Sequence, residues 1–428
     1  MKVFFINDST SNHNWGDRAA AIALRKMICA SGARIVGAVT EDDLKFSLLY
    51  KQRDPTESLT QKIVKQFIPP LVTKARMLID RLLPAAGSDD MIPASWDQFE
   101  SAADTVLRDP HVRSSLVKMI EDADLAVIHG DGCMVGNTRI ARAELFLSYL
   151  IKKRFGKPVI MVNHTADFDH PTLRAMAENV YPLFDDVVFR DPISAQRCTS
   201  LCRGRFSADT AFLFKPVPLA DWLPVAQRPT YFDVWPDTAC FNPAEPYLCI
   251  GGSSIFSYNG TPQELIERVA ALVTHIGSIY RGQIVLTVSD IVDQAVFRPI
   301  AQQLNLPLVG LTTPVQQAVD IIGNAQAYVG GRWHPSIFAL RGGTPVVPIS
   351  SKTFKMQALI EMSGLASCTF DALSIDQEKE RMGQQLMSYI AQGDGLRNQL
   401  KLWAEEKSKN CWDNVTYLKQ FPGSATTA

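Results

Sequence analysis

The residues best suited to chemistry gather in one stretch of this 428-residue chain, Tyr328 to Ile349, which reads YVGGRWHPSIFALRGGTPVVPI. Arg332 offers a permanent planar cation whose fork suits a phosphate or a carboxylate. His334, two residues on, titrates near neutral pH and can move a proton there. Two glycines precede the pair, and glycine lets backbone come close to a ligand. An anionic substrate with acid–base chemistry is the sharp reading. The plain alternative is that the two side chains cap a helix or pair with a core carboxylate.

The surrounding pattern says what must hold them. A short apolar run (Ala327, Tyr328, Val329) ends in the glycines, a helix-like run covers Ser336 to Leu340, and Gly342-Gly343-Thr344-Pro345 leads into an apolar run from Val346 to Ile349. That is one strand–helix–strand unit of a parallel α/β sheet. Similar units recur along the chain. Strand Lys2–Ile6, helix Arg18–Ala30 and strand Arg34–Val39 open it. Strands at Asp124–His129, Pro158–Asn163 and Asp186–Arg190 follow, with helices at Arg142–Phe155 and Pro171–Leu183 between them. Seven prolines within 215–246 break the rhythm, because proline lacks the N–H that ladders and helix interiors use. A second α/β series starts at strand Tyr247–Gly251.

The expected fold is therefore α/β, with two doubly wound Rossmann-like domains facing a cleft in a glycosyltransferase-B-like arrangement. Residues 1–215 form the first domain, with a proline-bearing helical insertion at about 41–113. Residues 216–246 form a linker, and 247–428 form the second domain with a terminal helix that could pack on either half.

Composition bounds the function. Lys and Arg total 43 against 44 Asp and Glu, a net charge of −1, so bulk charge favours neither nucleic acid nor an anionic membrane. Any anion recognition must be local. The four apolar residues Val3–Ile6 are too few for a signal core, and no apolar run approaches the roughly 20 residues of a membrane span. The expectation is a cytoplasmic protein, peripheral at the inner face of a membrane if its substrate is lipid-linked. Eight scattered cysteines read as reduced thiols without a zinc set. No Asp-x-Asp pair is placed to hold a metal–nucleotide complex, so metal independence is expected.

Other candidates sit where strands should end. Asn14-Trp15-Gly16-Asp17 follows the first strand, with Asp17 where a helix N-cap would fall. Trp15 suits stacking on a sugar face, or burial in a loop. Asp131 lies in the glycine turn His129–Gly132, His164 ends the next strand, and Arg190 the one after. His164 reads equally well as a hydrogen-bonded core histidine. In the second domain Ser253 and Ser254 follow a strand and suit a phosphate, or an ordinary turn. Lys352 and Lys355 can steer an anion, although solvated lysines are the default.

In order along the chain, N-W-G-D (14–17), H-G-D-G (129–132), F-R-D-P-I-S (189–194), A-D-T-A-F (208–212) and G-G-R-W-H-P-S-I-F-A-L-R-G-G-T-P (330–345) resemble the polysaccharide pyruvyl transferase family. The last segment is similar to that family's G-x-R-x-H-x-x-I-x-A motif. The resemblance spans roughly residues 3 to 350 apart from the insertion, and it departs from the family's G-G-G turn at Asp131. It implies transfer of a carboxyethylidene group from phosphoenolpyruvate to a sugar of a surface polysaccharide or its precursor, giving a pyruvate ketal and phosphate without a further cofactor. Arg332 and Arg190 would each hold one donor anion bidentately, with Ser253, Ser254 and Lys352 beside them. His334 would be the general acid/base at the donor, with His164 or Asp131 as its partner near the acceptor. Asn14, Trp15 and Asp17 would bind the saccharide, whether free, polymeric or lipid-linked. Two competing readings are a nucleotide-sugar glycosyltransferase of the same architecture and a sugar-binding homologue without turnover.

Overall fold

The computed structural model describes residues 1–46, 91–228, 231–232, 239–257 and 262–421. Of the insertion expected at 41–113, residues 47–90 lie outside the described residues. The first sheet contains β1 (Lys2–Asp8), β2 (Arg34–Thr40), β3 (Leu125–Val135), β4 (Val159–Asp167), β5 (Asp186–Phe189) and β6 (Arg205–Phe206). Their order is β2-β1-β3-β4-β5-β6, and every pairing is parallel. The second sheet contains β7 (Tyr247–Ser253), β8 (Gln283–Thr287), β9 (Leu308–Val309), β10 (Tyr328–Gly331) and β11 (Val346–Pro348). Its order is β11-β10-β7-β8-β9, again all parallel. Helices cover both faces of the inner strands: all of β7 and β10 is buried.

Chain direction across each sheet reverses once, between β1 and β3 in the first and between β7 and β10 in the second. Crevices at such switch points, beyond the strand C-termini, are where open α/β sheets bind ligands. Here the two crevices face each other.

The domains are tied together beside that cleft. One apolar core joins β1 residues Val3 and Phe5 and helix residues Trp15, Ala20 and Leu24 to the second domain's Ile250, Ile337 and Leu340. Trp15 Nε1 donates to the Leu311 carbonyl at 3.3 Å, and Arg18 Nη2 to that of Thr313 at 3.0 Å. The terminal helix Ile375–Asn410, interrupted at Gly393 with φ of 53°, begins on the second domain and carries the chain back to the first. Beyond it Asn414, fully buried, accepts from the Asn163 amide of β4 and donates to the Ala208 carbonyl. No helix among the described residues is long and apolar enough to cross a membrane.

Two local expectations differ. Gly130-Asp131-Gly132 is not a turn: β3 continues through it to Val135, with Asp131 opposite His164 of β4 and a register shift before Met134. Asn163-His164-Thr165 likewise lies inside β4. Paired strands absorbed these polar residues because their side chains find partners in the cleft or core. Asp17 is also not the N-cap. Asn14 is, accepting from the Gly16 and Asp17 amides, which leaves the Asp17 carboxyl free to face the cleft.

Among the described residues Asn414 is the only side chain bonding the Asn163 backbone amide, so Asn414→Ala should leave a buried N–H unpaired. The expected cost is about 1–3 kcal/mol in denaturant unfolding, with little change in secondary structure by circular dichroism.

Candidate active site

Between the two switch points lies a cavity of about 340 Å³. Asn14, Asp17, Asp131 and Arg190 line it from the first domain, and Ser254, Arg332, His334 and Lys352 from the second. At the rim of the first sheet, Asn7, Asp131 and Asn163 adopt left-handed backbone, with φ of 67°, 42° and 55°. Such conformations cost of order 1–3 kcal/mol each and persist where surrounding structure enforces them.

The floor of the cavity is a buried ion cluster that crosses the domain boundary. Arg190 is 1% exposed. Its Nε donates to Thr165 Oγ1 at 2.9 Å, and its Nη1 pairs with Asp131 and, at 3.2 Å, with Asp209. Trp333, from the second domain, lays its ring 5.1 Å from the guanidinium and donates from Nε1 to Asp209 at 2.9 Å. His334 Nε2 lies 3.5 Å from Asp209 and 3.7 Å from Asp131, while Nδ1 lies 3.9 Å from Asp17. The helix Trp333–Arg341 places it there, with Arg332 as N-cap and His334 in the first turn.

This arrangement divides the carboxyls into two kinds. Burial alone would raise Asp131 and Asp209, but Arg190 and His334 outweigh it and hold both well below the usual carboxylate range. Asp17 goes the other way: burial, then the charges of Asp131 and Glu41, push it well above that range. Two carboxyls sharing one site cannot both ionise easily, and the guanidinium decides which one does. The cleft thus presents an imidazole beside two carboxylates held ionised to low pH and one that keeps its proton to higher pH.

Arg332 is equally committed. Asp293, fully buried, takes its Nε at 3.1 Å and its Nη2 at 2.8 Å, and Asp290 lies 3.5 Å from Nη1. The bidentate hold on a substrate anion expected of each arginine is therefore corrected. Asp293 occupies the Arg332 fork, and Thr165 and Asp131 occupy that of Arg190. What Arg190 leaves open is Nη2, beside Gly132, where an added Cβ would stand 3.2 Å away. Gly16 has a comparable reason to be glycine, since a Cβ there would collide with the His334 ring.

Three sequence candidates do not reach the cavity as expected. His164 is a core residue: its ring nitrogens lie 3.0 Å from the Val188 carbonyl and 3.0 Å from the Tyr181 hydroxyl, and burial lowers its pKa to about 3. Trp15 is fully buried with its indole N–H spent on Leu311, so it cannot stack on a sugar. The Ser253 hydroxyl is buried and donates to the Ser350 carbonyl at 2.5 Å, while its neighbour Ser254 lines the cavity. Asp131 does reach it, but as the ionised partner of Arg190 it is a poor base. Asp209 and Asp293 were not singled out as site residues. The A-D-T-A-F segment signalled the first by its strand-end position; nothing in the local pattern signalled the second, which lies inside a helix.

Asp17, Asp131 and His334 each offer one ligand atom within 4.8 Å of the others, a donor set that a divalent cation could use. Asp131 already has the guanidinium of Arg190 as its cation.

Comparisons with known proteins agree with this architecture. A family model described as polysaccharide pyruvyl transferase matches residues 29–353. Among solved structures, Arabidopsis thaliana UGT89C1 complexed with quercetin is similar over 98% of both chains at 12% identity and a TM-score of 0.55. A structure from E. coli titled trehalose-6-phosphate bound with UDP-2-fluoro glucose is similar over 98% of this chain and 99% of its own, at 11% identity and a TM-score of 0.54. At these identities the likeness speaks for the fold alone, that of two Rossmann-like domains in the glycosyltransferase-B manner. No curated protein matches the chain.

Arg190→Met should strand Asp131 and Asp209 without their buried cation and cost about 3–5 kcal/mol in denaturant unfolding. Both carboxyls have depressed folded pKa values, so the stabilisation they carry is present above the ordinary carboxylate range and lost as pH falls through the folded values. The advantage of wild type over the variant should hold above about pH 4 and shrink below it.

Proposed function

This chain belongs to the polysaccharide pyruvyl transferase family, and from that premise we propose that it moves a carboxyethylidene group from phosphoenolpyruvate onto hydroxyls of a saccharide, forming a pyruvate ketal and phosphate. The observation that carries this reading is the position of His334. It is an imidazole from the second domain within 3.9 Å of a protonatable carboxyl of the first, with cations of both domains around it.

The chemistry balances as follows. The donor's methylene carbon gains a proton, which leaves an oxocarbenium-like centre at the neighbouring carbon. Two acceptor oxygens bond to that carbon, and its bond to the phosphate oxygen breaks with the electron pair leaving on phosphate. Of the two hydroxyl protons released, one replaces the proton delivered to carbon and the other leaves with phosphate or solvent. His334 delivers the proton to the methylene and, once neutral, takes one from an acceptor hydroxyl, while Asp17, which holds its proton to higher pH, donates a hydrogen bond on the side of the first domain. Asp131 and Asp209 face the Nε2 edge of the ring at 3.7 and 3.5 Å and fix its position. Arg332 and Arg190 supply fixed positive potential and only the N–H groups that their protein partners leave over, because their forks are occupied. Asn14 anchors the loop that carries Asp17 by bonding Asp290 at 3.2 Å across the cleft.

A nucleotide-sugar transferase of this architecture is the second reading. One experiment separates the two: phosphate release from phosphoenolpyruvate, and nucleotide release from a panel of nucleotide sugars, each with a panel of saccharide acceptors. Phosphate release that depends on both donor and acceptor supports pyruvyl transfer. Turnover of a nucleotide sugar alone overturns it. His334→Ala should lower kcat about a hundredfold or more with a smaller change in KM, as expected when a proton-transfer group is removed.

A further inference from the structure

A second cavity, of about 570 Å³, lies at the opposite strand ends from the cleft. Gln326 and Gly342 line it on the segments that lead into β10 and β11, and no residue lines both cavities. Lys215 reaches it from the connection between the domains. Arg397, Lys401 and Glu405 reach it from the terminal helix, which resumes after its break at Gly393. Spacings of four put those three side chains on one helix face. The charges here do not balance. Lys215, Arg341, Arg397 and Lys401 meet only two carboxylates, Asp394 and Glu405. Glu405 is divided between Arg341 at 2.8 Å and Lys215 at 3.9 Å. Half-buried Arg397 donates to neutral carbonyls alone, those of Ala325 at 2.7 Å and Gly342 at 3.5 Å, which fix the guanidinium without neutralising it. Lys401 makes no ion pair among the described residues, and its stem lies over Gly343, where an added Cβ would stand 2.7 Å from Cγ. Burial, then Arg397, lower the pKa of this lysine, the mark of cations crowded together.

We propose that this cavity is a binding site for a small phosphate monoester, separate from the catalytic cleft. The phosphate would lie among Lys401, Arg397 and Lys215, and the organic part against the apolar wall of Pro216, Val217 and Leu219. Two positive charges in excess match a dianion, whereas a carboxylate would answer only one of them. An arginine and two lysines also suit an anion with several acceptor oxygens. The volume exceeds what bare phosphate fills and falls within the ordinary range of small-molecule sites. Such a ligand would join the interdomain connection to the terminal helix, the two passages of the chain between the domains. Its binding should therefore stabilise the folded pair of domains by mass action. Because the two cavities share no lining residue, this site stands whatever donor the cleft takes.

The test is calorimetric titration of the whole chain with phenyl phosphate, inorganic phosphate and phenol, for wild type, Lys401→Met, Lys401→Arg and Arg397→Met. Wild type should bind phenyl phosphate more tightly than inorganic phosphate, because only the ester reaches the apolar wall. Lys401→Met and Arg397→Met should each weaken phenyl phosphate about tenfold or more, the scale of one charge-assisted contact. Lys401→Arg should keep most of the affinity, since the charge stays. Saturating phenyl phosphate should raise the wild-type melting temperature by about 2 °C or more, and that gain should shrink in Lys401→Met. Lys401 is exposed, so its variants test the site even where Arg397→Met fails to fold. Phenyl phosphate held in the cleft would be indifferent to both positions, and that result overturns the site. No binding by wild type, or phenol bound as tightly as its phosphate ester, overturns it equally.

Discussion

Arg190 is the interaction on which the cleft depends. A guanidinium that is 1% exposed must be compensated, and it is, by two carboxylates, a threonine hydroxyl and the face of a tryptophan. Those four partners sit on separate elements, and the tryptophan belongs to the other domain. The same Asp209 that neutralises the arginine also receives the Trp333 indole and faces His334. Charge compensation and domain closure are thus one network. Removing the cation would expose buried anions and loosen the grip on the helix that carries the imidazole.

The price of this network is paid in donor capacity. Arginines are commonly valued for the open fork they present to phosphate or carboxylate, yet here both forks face inward to protein carboxylates. Their positive potential still reaches the cavity, but direct contacts to an anion must come largely from groups that the protein leaves unsatisfied. Thr353 is such a group, and so is the free edge of Arg190 beside Gly132. The carboxyls show a parallel division of labour. Proximity to the guanidinium keeps Asp131 ionised, and burial together with that charge raises the pKa of Asp17.

Much of the architecture is legible in the sequence. Parallel strands buried on both faces read as apolar runs, as in β1, β4 and β7, and glycines and prolines marked where runs stopped. The same logic failed at His129–Gly132 and Asn163–Thr165. Polar residues and glycines look like a strand end in sequence, but paired neighbours carried β3 and β4 several residues further. His164 and Trp15 failed for another reason. Whether a polar or aromatic side chain at a sheet rim turns to the cleft or to the core depends on partners far away in sequence, such as Tyr181 and Leu311, that no local pattern announces.

By itself the sequence determined the two α/β halves, the glycine-bounded unit that carries Arg332 and His334, and the family whose motifs it strings together, because these follow from periodicity and short-range spacing. Only the tertiary structure decided which carboxylate each arginine faces, which carboxyl keeps its proton, and that Gly16 is glycine because a histidine more than three hundred residues away lies over it. Those outcomes depend on distances between elements brought together by folding, and a buried charge takes its character from whatever folding sets beside it.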